Sequence, residues 1–287
     1  MRQATSFDLK DVRSHGRRRF LGSVAMLLAP LLVGCQPVAA VRSVPPVATA
    51  SLMVFTSGGF NAAFDTLAAA YSRGTGTRIA VAHGPSMGET PNAIPARLAR
   101  HEPADVVILA RSGLDRLVAE GSVVRGTEVD LGLSRIAVAV REGARIPDIA
   151  TPDAVRATLL RAKSVAWSDS ASGVFIQSTL LDRLGVADQV RPKAKMIPAT
   201  PVGEIVARGD AEIGFQQLSE LKPVKGIRIV GLLPESLQKV TAFSGGVVAY
   251  SRHPAGARAL LSYLSSPKAD AAIRASGLEP ARRKASR

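Results

Sequence analysis

The residues with the clearest chemical character are small hydroxyl residues and glycines at three places where a β-type run gives way to a helical one. Trp167-Ser168-Asp169-Ser170-Ala171-Ser172-Gly173 follows Ser164-Val165-Ala166 and precedes a run in which Ile176, Leu180 and Leu184 recur at helical spacing. Thr56-Ser57-Gly58-Gly59 follows Leu52-Met53-Val54-Phe55, and Gly84-Pro85-Ser86-Met87-Gly88 follows Arg78-Ile79-Ala80-Val81. Turns of this kind leave the first backbone N–H groups of a helix approachable. Together with the positive end of the helix dipole and the Ser hydroxyls, those groups suit an anion. One such turn is an ordinary N-cap, so it is the threefold recurrence that points to a binding site at Ser57, Gly58, Gly59, Ser86, Met87, Ser170, Ala171 and Ser172.

Other residues bear on which anion and which chemistry. A di- or tricarboxylate is flat, and its oxygens can be shared among helix N-termini and one or two arginines. Arg111, after the third strand, and Arg141, at the end of a long strand, are placed for that, with surface or lobe-contact roles as the alternative. Gln216 and Gln217 follow the strand Glu212-Ile213-Gly214-Phe215 and either supply amide contacts or cap the next turn. A proton shift beside a carboxylate also needs a base. His83, next to the Gly84 loop, and Asp169 are the candidates, against a solvated strand-end histidine and a turn-capping carboxylate. The sequence has no HExxH, no paired Cys and no spaced carboxylate loop, so neither a metal nor another cofactor is expected. Without a Walker A loop, a nucleotide reading has no support.

The elements that position these residues begin after an N-terminal segment. Arg17-Arg18-Arg19-Phe20-Leu21 is a twin-arginine pattern ahead of an apolar run from Leu21 to Val33 that is too short and interrupted for a membrane span. It ends Leu32-Val33-Gly34-Cys35, which resembles the lipobox of bacterial lipoproteins, with Cys35 as the lipidated residue. Cleavage near Ala39 or Ala40, giving a soluble periplasmic protein, is the alternative. Residues 1–35 are therefore expected to be an export signal and 36–50, with Pro37, Pro45 and Pro46, a tether. Cys35 is the only cysteine, which excludes an intrachain disulfide. The formal charge of +14 falls to +10 without residues 1–35, and four more positive residues sit in a basic tail at 281–287. Scattered basic residues and only 4% aromatics argue against nucleic acid.

Along the rest of the chain, strand and helix signals alternate. Residues 51–56, 78–82 and 104–109 read as strands; Phe60, Phe64, Leu67 and Tyr71 mark a helix that Gly74 stops, and two more helices are expected at 92–100 and 114–119. Residues 134–141 read as one long strand passing out of this lobe. A second series follows: a helix capped by Thr151-Pro152-Asp153, strands at 164–167, 194–197, 212–215, 227–232 and 240–250, and helices at 254–265 and 268–275. This is an α/β pattern in two lobes, 51–134 plus 246–280 and 135–245. In such sheets ligands sit beyond the carboxyl ends of the strands, where the Ser/Gly turns lie.

The order of motifs resembles the type II periplasmic solute-binding fold and, within it, the molybdate-binding protein family. The resemblance covers roughly residues 50–280 and is carried by Val-Phe-Thr-Ser-Gly-Gly, the Pro-Ser-Met-Gly loop, Pro103-Ala104-Asp105-Val106-Val107-Ile108, the Asp169 to Gly173 turn and Gly209-Asp210-Ala211-Glu212-Ile213-Gly214-Phe215. It implies a monomer that holds a small anion with Ser hydroxyls and helix amides. Lobe closure would occur at strands near 134–141 and 240–250, with delivery to an ABC permease. The implied contacts fall at Ser57 or Gly58, Ser86, Ser172 and Ala199 or Thr200, with Gln217 where the family has a tyrosine. That change, the glycine pair after Ser57 and a longer 87–93 loop imply a roomier pocket than a tetrahedral oxyanion needs. Gly-Pro-Ser-Met-Gly, Ser-Asp-Ser-Ala-Ser-Gly and Gly-Phe-Gln-Gln-Leu-Ser-Glu-Leu are also similar to a branch of this fold that includes periplasmic aconitate isomerase, which implies an allylic proton shift in the same cleft as the alternative to transport.

Overall fold

The computed structural model describes residues 51–281. The expected export signal, Cys35, the tether and all of the basic tail except Ala281 lie outside the described residues. Two β-sheets, each covered by helices, form two lobes. The strands are β1 (Ser51–Thr56), β2 (Arg78–His83), β3 (Val106–Ala110), β4 (Val129–Ser134), β5 (Ile136–Arg141), β6 (Val165–Ser168), β7 (Ala194–Ile197), β8 (Ile213–Gln217), β9 (Ile227–Leu232), β10 (Thr241–Val247) and β11 (Glu279–Pro280). The first sheet has the order β11-β4-β10-β3-β1-β2 and the second β7-β6-β8-β5-β9. The helices are α1 (Gly58–Thr75), α2 (Ile94–Ala99), α3 (Arg111–Ala119), α4 (Pro152–Arg161), α5 (Ala171–Phe175), α6 (Leu181–Arg183), α7 (Ala187–Val190), α8 (Val202–Arg208), α9 (Leu218–Leu221), α10 (Pro254–Leu264) and α11 (Asp270–Ala275).

Strand β3 shows why a nearly unbroken apolar run sits at the centre of its sheet: every residue is buried, and β1 pairs with it on one side and β10 on the other. The apolar stripe of α1, Phe60, Phe64, Leu67 and Tyr71, packs with Val54, Val106 and Leu261 into the core of the first lobe. Trp167, Ile176, Leu180 and Phe215 belong to the main core of the second. Burying side chains of this size is worth about 1.5–3 kcal/mol each, so each lobe is held from within by its own core.

Four expectations change. The helix over Phe60 to Tyr71 runs past Gly74 and ends at Gly76, whose φ of 73° gives the left-handed cap; Gly74 has a helical conformation, and nothing in the sequence separates two glycines two residues apart. The long strand at 134–141 is two strands, parted at Arg135: Ser134 pairs with Thr241 in the first sheet and Ile136 with Gln217 in the second. The return to the first lobe comes earlier than residue 246, because β10 begins pairing at Thr241. An apolar alternation runs through both sheets and does not mark where the backbone changes partner. The helical run after Gly173 is also interrupted, with a π-helical turn at Ile176–Leu180 between α5 and α6. Among the described residues no helix is long and apolar enough to cross a membrane.

Candidate functional site

The carboxyl ends of β1, β2, β6, β7 and β8 converge on one cleft of about 240 Å³ between the lobes. Gly58, Asn61, His83, Gly84, Pro85 and Asn92 line it from the first lobe. Ser168, Asp169, Ser170, Ala199, Thr200, Pro201, Gln216 and Glu220 line it from the second. The wall at Ser168–Gly173 depends on one glycine. A Cβ on Gly173 would lie 1.6 Å from the Ser168 carbonyl oxygen, so only glycine lets the first turn of α5 double back over the end of β6.

Of the residues expected to bind, Gly58, Ser170, Thr200 and Gln216 face this cleft. Ser57, Ser86 and Ser172 lie one residue behind the surface, at most 1% exposed. The Ser86 hydroxyl accepts from the Ala110 backbone N–H (3.0 Å), which ties the Gly84 loop to the end of β3, and the Ser172 and Ser168 hydroxyls are 3.3 Å apart. Buried side-chain atoms without a partner mark two other positions: Ser57 Oγ at the N-cap of α1 and Gln217 Oε1, whose Nε2 donates to Thr241 Oγ1 at 3.1 Å. Gly59 is buried beneath the Phe243 ring. Met87 and Ala171 turn to a neighbouring cavity of about 440 Å³, lined also by Arg111, Val174, Lys239 and Val240.

Neither arginine faces the cleft. Arg111 is committed to Asp115 (2.7 Å) and Asp130 (3.0 Å), which raise its pKa. Arg141 ends β5, and because β5 runs antiparallel to β8, Ile136 rather than Arg141 lies beside Gln217. Five residues of extended chain place Arg141 about 16 Å farther along the sheet. His83 lines the cleft while its Nε2 is 3.5 Å from Asp65 on α1, and both side chains are about half exposed.

The charged groups the cleft does contain are carboxyls. Asp169 accepts from its own N–H and from that of Ala199, and burial raises its pKa. Ala199 has a φ of 55°, a left-handed conformation that costs a non-glycine residue about 1 kcal/mol and that aims its N–H at the Asp169 carboxylate. The second carboxyl, on α9, is that of Glu220. Its carboxyl lies against Gly58: a Cβ there would come 2.1 Å from Glu220 Oε1. Burial pushes its pKa up to about 7, against the Gln216 side chain and the Gln217 N–H, which donate to it, and with a smaller upward push from Asp169. The adjacent Ser219 Oγ donates to the Gly59 carbonyl (2.7 Å), fixing α9 on the N-terminus of α1 across the lobes. A Glu in a four-residue helix carries no periodic signal, and only the meeting of two lobes desolvates it. Among the described residues no group of three or more His, Cys, Asp or Glu could hold a metal.

The chain is similar to known proteins along nearly all of the described region. It is 52% identical over 255 residues to an aconitate isomerase from a Pseudomonas species, across 89% of this chain and 95% of the relative. Among solved structures, the Azotobacter vinelandii periplasmic molybdate-binding protein matches with a TM-score of 0.64 at 21% identity, across 79% of this chain and 98% of that one. The sulfate-binding protein SubI of Mycobacterium tuberculosis matches with 0.60 at 18%, across 81% and 87%. These two establish the two-lobe periplasmic binding protein fold. Residues 52–279 match the model of the bacterial extracellular solute-binding protein family, and to that family the chain belongs.

Proposed function

We propose that this protein is an aconitate isomerase, interconverting trans- and cis-aconitate by an allylic proton shift in the interlobe cleft. The observation that carries the reading is the pair of carboxyl groups, Asp169 and Glu220, in a cleft whose other lining residues are uncharged apart from His83. A site meant only to hold an oxyanion gains nothing from carboxylates, which repel it. A site that moves a proton next to a carboxylate needs a group that is readily protonated and deprotonated near neutral pH, and burial pushes the Glu220 carboxyl into that range. The 52% identity to an aconitate isomerase supports the same chemistry.

The substrate's carboxylates would meet the N-terminal turn of α1, the Ser170 and Thr200 hydroxyls and the amide groups of Asn61, Asn92 and Gln216. The Ser57 hydroxyl, buried and unpartnered, lies just beneath. Closure of the lobes about Arg135 and the segment between β9 and β10 would exclude water. Export, a lipid anchor at Cys35 and a periplasmic location belong to the same proposal. The test is proton NMR of the purified protein with trans-aconitate. Appearance of cis-aconitate supports the isomerase. Tight binding of a carboxylate or oxyanion with no turnover refutes it and returns the cleft to capture for an ABC-type permease.

A further inference from the structure

We propose that Glu220 is the catalytic residue that carries the proton and that Gln216 is the residue that positions it. This assignment rests on the isomerase reading of the cleft. Three geometric observations separate Glu220 from Asp169 and His83. Asp169 is tied at a turn, with its carboxylate on the Ala199 N–H and on its own, and His83 faces Asp65 at the rim. Glu220 is set against the first residue of α1 in the gap left by the missing side chain of Gly58. There the N-terminal amides of an 18-residue helix would hold a substrate carboxylate beside it.

Glu220 also stands in the wall between two cavities. One side lines the cleft; the other lines an outer groove with Pro201, Glu204, Arg208 and Lys225. A carboxyl so placed can meet substrate on one face and exchange its proton with water on the other. Gln216 is 3% exposed, and its Oε1 accepts from the Val202 N–H at 2.8 Å. That bond settles which way the amide points, and its NH₂ is left to donate to Glu220. Base and orienting residue therefore form a relay anchored on the N-terminus of α8.

In the proposed step a carboxylate oxygen of Glu220 takes a proton from the substrate methylene. The C–H bond breaks, an O–H bond forms, and the electron pair spreads over the three-carbon allyl unit and its carboxylates. The O–H bond then breaks as the proton is returned to the other end of that unit, and the double bond re-forms one position along. Nothing is oxidised or reduced. The charged or titratable groups facing Glu220 are Asp169 and His83 from the cleft and Glu204, Arg208 and Lys225 from the groove.

The experiment uses the full chain with trans-aconitate, reading conversion by proton NMR and binding by the ligand-induced rise in melting temperature. Glu220→Gln is expected to lose conversion at least a thousandfold while the melt still rises with ligand; Glu220→Asp, whose carboxyl is one methylene shorter, is expected to keep a small part of it. Gly58→Ala displaces only the flexible end of Glu220, so it is expected to keep the fold and lower kcat. Gln216→Ala, which removes a donor to the carboxylate, is expected to raise the pH at half-maximal kcat/KM by about one unit, where a merely structural role would lower the plateau and leave the midpoint. A wild-type protein without turnover overturns the isomerase reading and this assignment with it. Active wild type together with Glu220→Gln within tenfold of it overturns the assignment alone.

Discussion

Removing the ionisable group at residue 220 should make the protein more stable above neutral pH and leave it unchanged in acid. Glu220 has a folded pKa raised from 4.5 to about 7. A carboxyl with a raised pKa contributes stability that is fully present below the unfolded value and lost as pH rises through the folded one. Below about pH 4.5 both states are protonated and the residue is neutral in the balance. Between 4.5 and 7 the unfolded chain ionises first, and above 7 the folded protein carries a charge that its surroundings disfavour. At about 1.4 kcal/mol per unit the ceiling on that cost is about 3 kcal/mol. Because the side chain touches solvent in both the cleft and the outer groove, screening reduces this to about 1–2 kcal/mol. Glu220→Gln keeps the shape and the acceptor oxygen. Thermal melts from pH 4 to pH 8.5, in a buffer free of carboxylates, should show the variant and wild type together at pH 4 and the variant about 2–6 °C higher at pH 8.5. A difference that is constant across this range would refute the reasoning, because it would mean that residue 220 acts through shape rather than charge.

Other perturbations test the supporting structure. Gly173→Ala should disrupt the Ser168–Gly173 turn, since its Cβ would sit 1.6 Å from the Ser168 carbonyl oxygen; a loss of at least 3 kcal/mol is expected in denaturant titration. Ser86→Ala leaves the buried Ala110 N–H without its acceptor, which should cost about 1–3 kcal/mol by the same measurement. Phe64→Ala, in the core of the first lobe, should cost about 3–5 kcal/mol and lower the melting temperature while a carboxylate ligand still shifts it. Cys35→Ser should move the protein from the membrane fraction to the soluble periplasmic fraction; unchanged fractionation would remove Cys35 as an anchor.

Most of the framework is legible along the chain because local patterns report local burial. The unbroken apolar run of β3, the stripe of α1 and the Thr151 cap, whose hydroxyl accepts from the Ala154 N–H at 3.1 Å, are each set by neighbours a few residues away. The Ser/Gly turns are legible for the same reason, and with them the expectation that a site lies at the carboxyl ends of the strands. Side-chain direction is not local in this sense. Ser57, Ser86 and Ser172 are chemically suited to an anion, yet tertiary packing turns them beneath the cleft surface and presents Gly58, Pro85 and Ser170 instead. Arg141 lies far from the cleft because β5 runs antiparallel to β8, an orientation that only strand pairing decides. Arg111 is spoken for by two acids, one of them 19 residues away. The site's most informative group, Glu220, is an ordinary polar residue in sequence. It becomes a proton-handling candidate when two lobes close around it, because desolvation is a property of everything that surrounds a charge and of nothing in the residue itself.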